Sequence, residues 1–129
     1  MTASDVMTPD PETLTPEATL SDVWELMRER RIRHVPVIED GVLVGMLSDR
    51  DVLFAAAEGR IDRRGSVVTV MTSDVLAVEP DTELSEVISI MLEGQVGAVP
   101  VVRAGTREVV GIVSYVDVLR AAQDLFEEE

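Results

Sequence analysis

The chain has no cysteine, no lysine, one histidine and only 3% aromatic residues. Without cysteine there is no disulfide framework and no thiolate chemistry. One histidine and no thiol speak against a structural zinc or transition-metal site. The missing lysine removes the phosphate-gripping side chain of a P-loop, and neither GxxxxGKS nor GxSxG occurs. No paired Ser–His nucleophile pattern is present either, so the chain reads as a non-enzyme. No apolar run approaches membrane-spanning length, and no N-terminal segment resembles a signal peptide. The expected location is therefore cytoplasmic. Positive charge is scarce: 11 arginines face 25 acidic residues, for a net charge of −14. Such a surface repels phosphate backbones, which argues against nucleic acid or an anionic membrane as partner.

What is present is repetition. Val6-Met7-Thr8 returns as Val70-Met71-Thr72, Leu20-Ser21 with Val23 and Met27 as Leu84-Ser85 with Val87 and Met91, and Val35-Pro36-Val37 as Val99-Pro100-Val101. These pairs share an offset of 64 residues. Further on, Gly45, Ser48, Asp51, Val52 and Leu53 match Gly111, Ser114, Asp117, Val118 and Leu119 at an offset of 66, so two residues enter the second copy between Val102 and Gly111. The repeat is the unit of folding. At roughly 60 residues it is marginal for a core of its own, so the copies are expected to pack on each other. The boundaries read as 1–59 for the first repeat, 60–69 for a linker and 70–129 for the second.

Periodicity places the elements. Leu20, Val23, Trp24 and Met27 form one helical stripe over Thr19 to about Arg31, with Thr19 and Asp22 as a capping box. Trp24 and Met27 read as packed side chains on that stripe. Val35–Ile38 and Val42–Leu47 read as a hairpin about the Asp40-Gly41 turn, and Asp49 to about Glu58 as a helix ended by Gly59. The second copy repeats the plan: a helix around Leu84–Met91 ended by Gly94, strands Ala98–Val102 and Glu108–Val113, and a helix from Tyr115 to about Phe126. Each unit is β-α-β-β-α.

Two segments carry the chemistry, Gly45–Leu53 (GMLSDRDVL) and Gly111–Leu119 (GIVSYVDVL). In each, a serine ends a strand and an aspartate enters the first turn of a helix. Ser-x-x-Asp at a helix start is an ordinary cap, favoured by the helix dipole. The same atoms suit a ligand: a carboxylate at a strand–helix junction accepts both hydroxyls of a ribose, and a helix N-terminus favours phosphate. Both readings stand on the residues alone. Before the Val35 strand lie Arg33 and His34, where the second copy has Gly97 and Ala98. These two are either a phosphate contact, a guanidinium fork beside a titratable donor, or a solvated basic helix end.

The ordered set of VMT, HVPVIEDG or AVPVV, and GhhSxxDVL (h apolar), occurring twice over Val6–Ala122, resembles a tandem cystathionine-β-synthase (CBS) domain pair, or Bateman module. The resemblance implies an α/β (α+β) fold of two β-α-β-β-α repeats packed with pseudo-twofold symmetry. It implies clefts between the repeats that take AMP, ADP, ATP or S-adenosylmethionine. Ser48 and Asp51 would hold the ribose in one cleft and Ser114 and Asp117 in the other, with Arg33 and His34 near phosphate. The difference between the copies then implies one phosphate-tolerant cleft and one suited to an uncharged tail. No cofactor is required. Mg²⁺ would enter only with nucleotide phosphates, and the charge of −14 ranks AMP or ADP above ATP. The implied role is a regulatory module, homodimeric through its helices (Trp24, Met27, Val52, Phe54 and Leu119 as contributors), acting on another polypeptide. The alternative is a ligand-free dimerisation or protein-interaction module in which both Ser-x-x-Asp segments are only caps.

Overall fold

Two β-hairpins of matching register organise the structure, a computed structural model that describes residues 1–59 and 64–128. Part of the expected linker, 60–63, and the last residue of the acidic tail lie outside the described residues. In chain order the elements are α1 (Ala3–Val6), β1 (Thr8–Pro9), α2 (Leu20–Arg30), β2 (His34–Glu39), β3 (Val42–Ser48), α3 (Asp49–Ala57), a 3₁₀ turn at Val67–Thr69, α4 (Leu84–Gly94), β4 (Ala98–Val102), β5 (Val109–Ser114) and α5 (Tyr115–Glu127).

The chain divides into two compact units. One is Glu12–Val75; the other joins Met1–Pro11 to Leu76–Glu129. The sequence repeats thus exchange their opening segments. Val67 and Met71 pack in the Glu12–Val75 unit, and their counterparts Ala3 and Met7 pack in the other. Hydrogen bonds fix the exchange. Met46 and Thr72 trade backbone hydrogen bonds at 3.0 and 2.9 Å, and β1 pairs with β5 through Thr8 opposite Ile112. Glycine permits the approach. A Cβ built on Gly45 would run into Met71 Sδ, and one on Gly111 into Met7 Sδ.

Each core is the same set of positions. Val23, Met27, Val35, Val37 and Leu47 are buried together in the first unit, and Val87, Met91, Val99, Val101 and Val113 in the second. Full burial of such a side chain contributes about 1.5–3 kcal/mol. The buried prolines of the Val-Pro-Val strands fit because of the register. Pro36 stands opposite Met46, whose own backbone groups bond to Thr72, while the Pro36 carbonyl accepts from Leu14 N–H at 3.0 Å. No ladder hydrogen bond is lost at a residue with no N–H. Both hairpins shift register at the same place, after Val37 and after Val101. The first then turns over 39–42 and the second over 103–108, which absorbs the two extra residues. Asp40 and Gly41 both take positive φ (50° and 79°), the tight turn their dipeptide signals.

Gly94 is the last residue of its helix, as expected, and Gln95 beyond it takes the left-handed conformation (φ 52°), as Arg31 does in the first copy (φ 55°). The closing bonds, from Val96 N–H to the Met91 carbonyl and from Ile32 N–H to the Met27 carbonyl, require that residue to be left-handed. One expectation is corrected: Trp24 is not core. It is 54% exposed, because the buried stripe of α2 runs through Leu20, Val23 and Met27 and leaves Trp24 on its flank. Phe54 and Leu119 are exposed as well, whereas Met27 is buried.

Gly94→Ala should stabilise the protein by about 0.5–1 kcal/mol, since the site is helical and open. Gly111→Ala should cost about 1–3 kcal/mol, because both Met7 and the Thr8 carbonyl crowd the added methyl. Denaturant midpoints of the two variants check both signs.

Candidate ligand site at the strand–helix junctions

In the first unit β3 ends at Ser48, the cap of α3. Ser48 Oγ accepts from Asp51 N–H at 3.1 Å, and Asp51 Oδ2 accepts from Ser48 N–H at 2.9 Å. In the second unit Ser114 caps α5. Ser114 Oγ accepts from Asp117 N–H at 3.3 Å, and Asp117 Oδ2 accepts from Ser114 N–H at 2.8 Å and from its hydroxyl at 3.1 Å. Both segments are therefore reciprocal capping boxes. The cap commits only one oxygen of each carboxylate. Asp117 Oδ1 accepts a long hydrogen bond from the Thr8 hydroxyl, 3.4 Å. Asp51 Oδ1 has no hydrogen bond among the described residues. All four side chains are half-buried. Each cap holds its carboxylate by one oxygen; the other makes no hydrogen bond among the described residues at Asp51 and only the long Thr8 bond at Asp117, a geometry suited to accepting ligand hydroxyls.

Arg33 and His34 reach the first junction through β2. His34 pairs in register with Ser48, and the Arg33 carbonyl accepts from Asp49 N–H at 2.9 Å. The corresponding places of the second junction hold Ala98 opposite Ser114 and the Gly97 carbonyl on Tyr115 N–H, also 2.9 Å. The fold thus gathers Ser48, Asp51, Arg33 and His34 at one junction, and Ser114 and Asp117 at the other. Burial holds the His34 imidazole below its usual proton affinity; Asp49 and Asp51 oppose that, and Arg33 adds to it. Arg50 turns along α3 to lie over the Phe54 ring at 5.6 Å.

Thr8 is a site candidate that the reading of the sequence passed over, with Thr72 as its counterpart. The repeated VMT was the available signal. Its methionines do pack, as expected, but Thr8 sits beside Asp117 because β1 joins β5 from the far end of the sequence. An open cleft of about 490 Å³ lies elsewhere in that unit, near the β4–β5 turn, lined by Ser4, Met7, Asp81, Arg103 and Val110. It includes neither Ser114 nor Asp117. Among the described residues no group of three or more His, Cys, Asp or Glu is placed to hold a metal ion, and no helix is long and apolar enough to cross a membrane.

The family model of the CBS domain matches residues 3–58 and again 67–124. The chain belongs to the CBS domain family. It is 34% identical over 114 residues to the CBS domain-containing protein YhcV of Bacillus subtilis (strain 168), covering 88% of this chain and 79% of YhcV. It spans as little as 20% of longer curated relatives. The CBS domain pair of protein MJ0100, solved with 5′-methylthioadenosine and S-adenosyl-L-methionine, superposes with a TM-score of 0.89 at 25% identity, covering 96% of this chain and 97% of that one. The structure of CBSX2 in complex with AMP gives a TM-score of 0.84 at 31% identity, covering 96% and 97%. The α+β architecture of two CBS repeats is thus shared with solved CBS pairs.

Two outcomes follow from the capping geometry and the histidine. Asp51→Ala and Asp117→Ala should each destabilise the ligand-free protein by about 1 kcal/mol, the usual cost of a lost cap, read from urea unfolding. The folded state binds a proton at His34 less readily than the unfolded chain does. Stability should therefore fall as pH drops below about 6.5, and His34→Gln should flatten that fall in melting temperature.

Proposed function

We propose that the protein is a regulatory CBS module that binds an adenosyl compound at its Ser-x-x-Asp junctions. Asp51 and Asp117 accept the ribose hydroxyls through the carboxylate oxygen that the cap does not hold, and Ser48 and Ser114 position them. The supporting observation is the doubled junction itself: the same half-committed carboxylate at a helix start in both units. CBS pairs of this fold that hold AMP, or 5′-methylthioadenosine with S-adenosylmethionine, support the choice of ligand class. Arg33 and His34 favour a phosphorylated ligand at the first junction. Gly97 and Ala98 suit an uncharged tail at the second. A chain of net charge −14 disfavours a triphosphate without Mg²⁺, so AMP or ADP ranks above ATP. Regulation follows if the ligand has different affinity for two states of the protein or of its complex with a target polypeptide. A cytoplasmic location, where such nucleotides are available, fits this reading. Catalysis is not part of this reading.

Thermal-shift measurements against AMP, ADP, ATP, S-adenosylmethionine and 5′-methylthioadenosine test it. A ligand that binds only the native state stabilises by about 2.7 kcal/mol at a hundredfold excess over Kd. At least one compound should raise the melting temperature, and Asp51→Ala with Asp117→Ala should abolish the rise. No shift with any of the five removes the reading and leaves the interaction module.

A second role has its own observation. Leu53 on α3 and its counterpart Leu119 on α5 are 64% and 61% exposed, with Phe54, Leu125 and Phe126 also in solvent. Apolar helix faces of this kind mark association surfaces, and a second copy of the chain is the proposed partner. Sedimentation velocity should give a dimer, and Leu53→Glu with Leu119→Glu should give a monomer.

A further inference from the structure

The two junctions share serine and aspartate but differ in the residue across the hairpin. His34 faces Ser48; Ala98, buried in apolar surroundings, faces Ser114. The adjoining positions differ too, Arg33 against Gly97 and Asp49 against Tyr115. His34 is the only imidazole in the chain. The charged groups acting on it are Asp49 and Asp51, from the first turn of α3, and Arg33 beside it on the chain. Its strand neighbours Val35 and Leu47 are buried and apolar. Burial outweighs the carboxylates, so the ring takes up a proton less readily than a free imidazole. Desolvation favours the neutral ring, and the two carboxylates favour the imidazolium. A phosphate brought to this junction adds negative charge that works with Asp49 and Asp51 against the desolvation. An uncharged tail adds none.

We propose that the Ser48–Asp51 junction binds phosphorylated adenosyl ligands with uptake of a proton on His34, and that the Ser114–Asp117 junction binds without proton uptake. The proposal rests on the adenosyl-ligand reading above. The proton comes from solvent and resides on the imidazole, and no covalent bond to the ligand forms or breaks. Because the coupling is reciprocal, bound nucleotide makes His34 more basic, and a lower pH tightens nucleotide binding. The first junction would then respond to pH and nucleotide together, and the second to its ligand alone.

The test is NMR titration of the full chain, in which the single imidazole gives one assignable set of ring signals, free and saturated with AMP or with adenosine. Each pKa unit of rise on binding corresponds to about tenfold in affinity below both values. AMP should raise the midpoint of the His34 titration and adenosine should leave it in place. Calorimetry of AMP binding near about pH 7, in buffers of different ionisation enthalpy, should show more proton uptake by wild type than by His34→Gln. The difference should be up to about one proton for a singly titrating ring. The variant also serves as the baseline for protonation of the AMP phosphate. An unmoved His34 midpoint with AMP bound overturns the coupling and leaves the ligand reading standing. So does equal uptake by wild type and variant. Equal movement with adenosine overturns the phosphate's part in it. Failure of wild type to bind either compound overturns the coupling, and the five-compound thermal screen separately decides the adenosyl reading.

Discussion

Each unit depends on a pair of reciprocal hydrogen bonds between a serine and the aspartate three residues later. The pair does three things at once. It ends the second hairpin strand, satisfies amide donors that the following helix leaves unpaired, and fixes the rotamer of a carboxylate that would otherwise sweep through solvent. Capping by Asp51 and Asp117 and the proposed ligand role of the same carboxylates are compatible, because the cap uses one oxygen of each. The cap holds one oxygen in place so that the other has a defined direction. Preorganisation of this kind lowers the entropy lost when a ligand hydroxyl arrives.

The second constraint is the exchange of opening segments. Val6-Met7-Thr8 begins the first copy in sequence but completes the unit built from the second, and Val70-Met71-Thr72 does the converse. A hairpin with two helices leaves one strand edge open and one side of its core thin. The exchanged segment closes the edge with backbone hydrogen bonds and lays a methionine over glycine where no other residue leaves room. It also carries a threonine to the junction. The strand–helix junction of the second repeat therefore includes a hydroxyl from the start of the first, a contact that local spacing does not encode.

The duplicated units are alike in backbone and unlike in charge. Strand register, bulge position and helix closure repeat residue for residue, whereas positions 33, 34, 49 and 50 carry Arg, His, Asp and Arg where 97, 98, 115 and 116 carry Gly, Ala, Tyr and Val. Packing tolerates such divergence because positions 33, 34, 49 and 50 are partly or fully solvated and lie outside the valine core. A repeated frame with a varied rim gives two junctions with the same capped carboxylate and different neighbouring charge.

Much of this was legible in one dimension. The offset of 64 residues, the Thr19–Asp22 cap, the Asp40-Gly41 turn and both Ser-x-x-Asp boxes are local patterns. Each is set by interactions between residues a few positions apart, so the linear order suffices to read them. The repeated motifs likewise mark the CBS family in the linear sequence. Four matters waited for the fold. Trp24 lies on the apolar side of α2 by periodicity, yet its burial depends on whether anything covers that flank, and in the compact unit nothing does. Gln95, not Gly94, takes the left-handed turn, because the closing bond to Met91 sets the position and overrides residue preference. Thr8 meets Asp117 across 109 residues of chain, a contact made by strand pairing that no periodicity encodes. The proton balance of His34 is the sum of burial and of fields from Asp49 and Asp51 on another element, and only tertiary structure sets that sum.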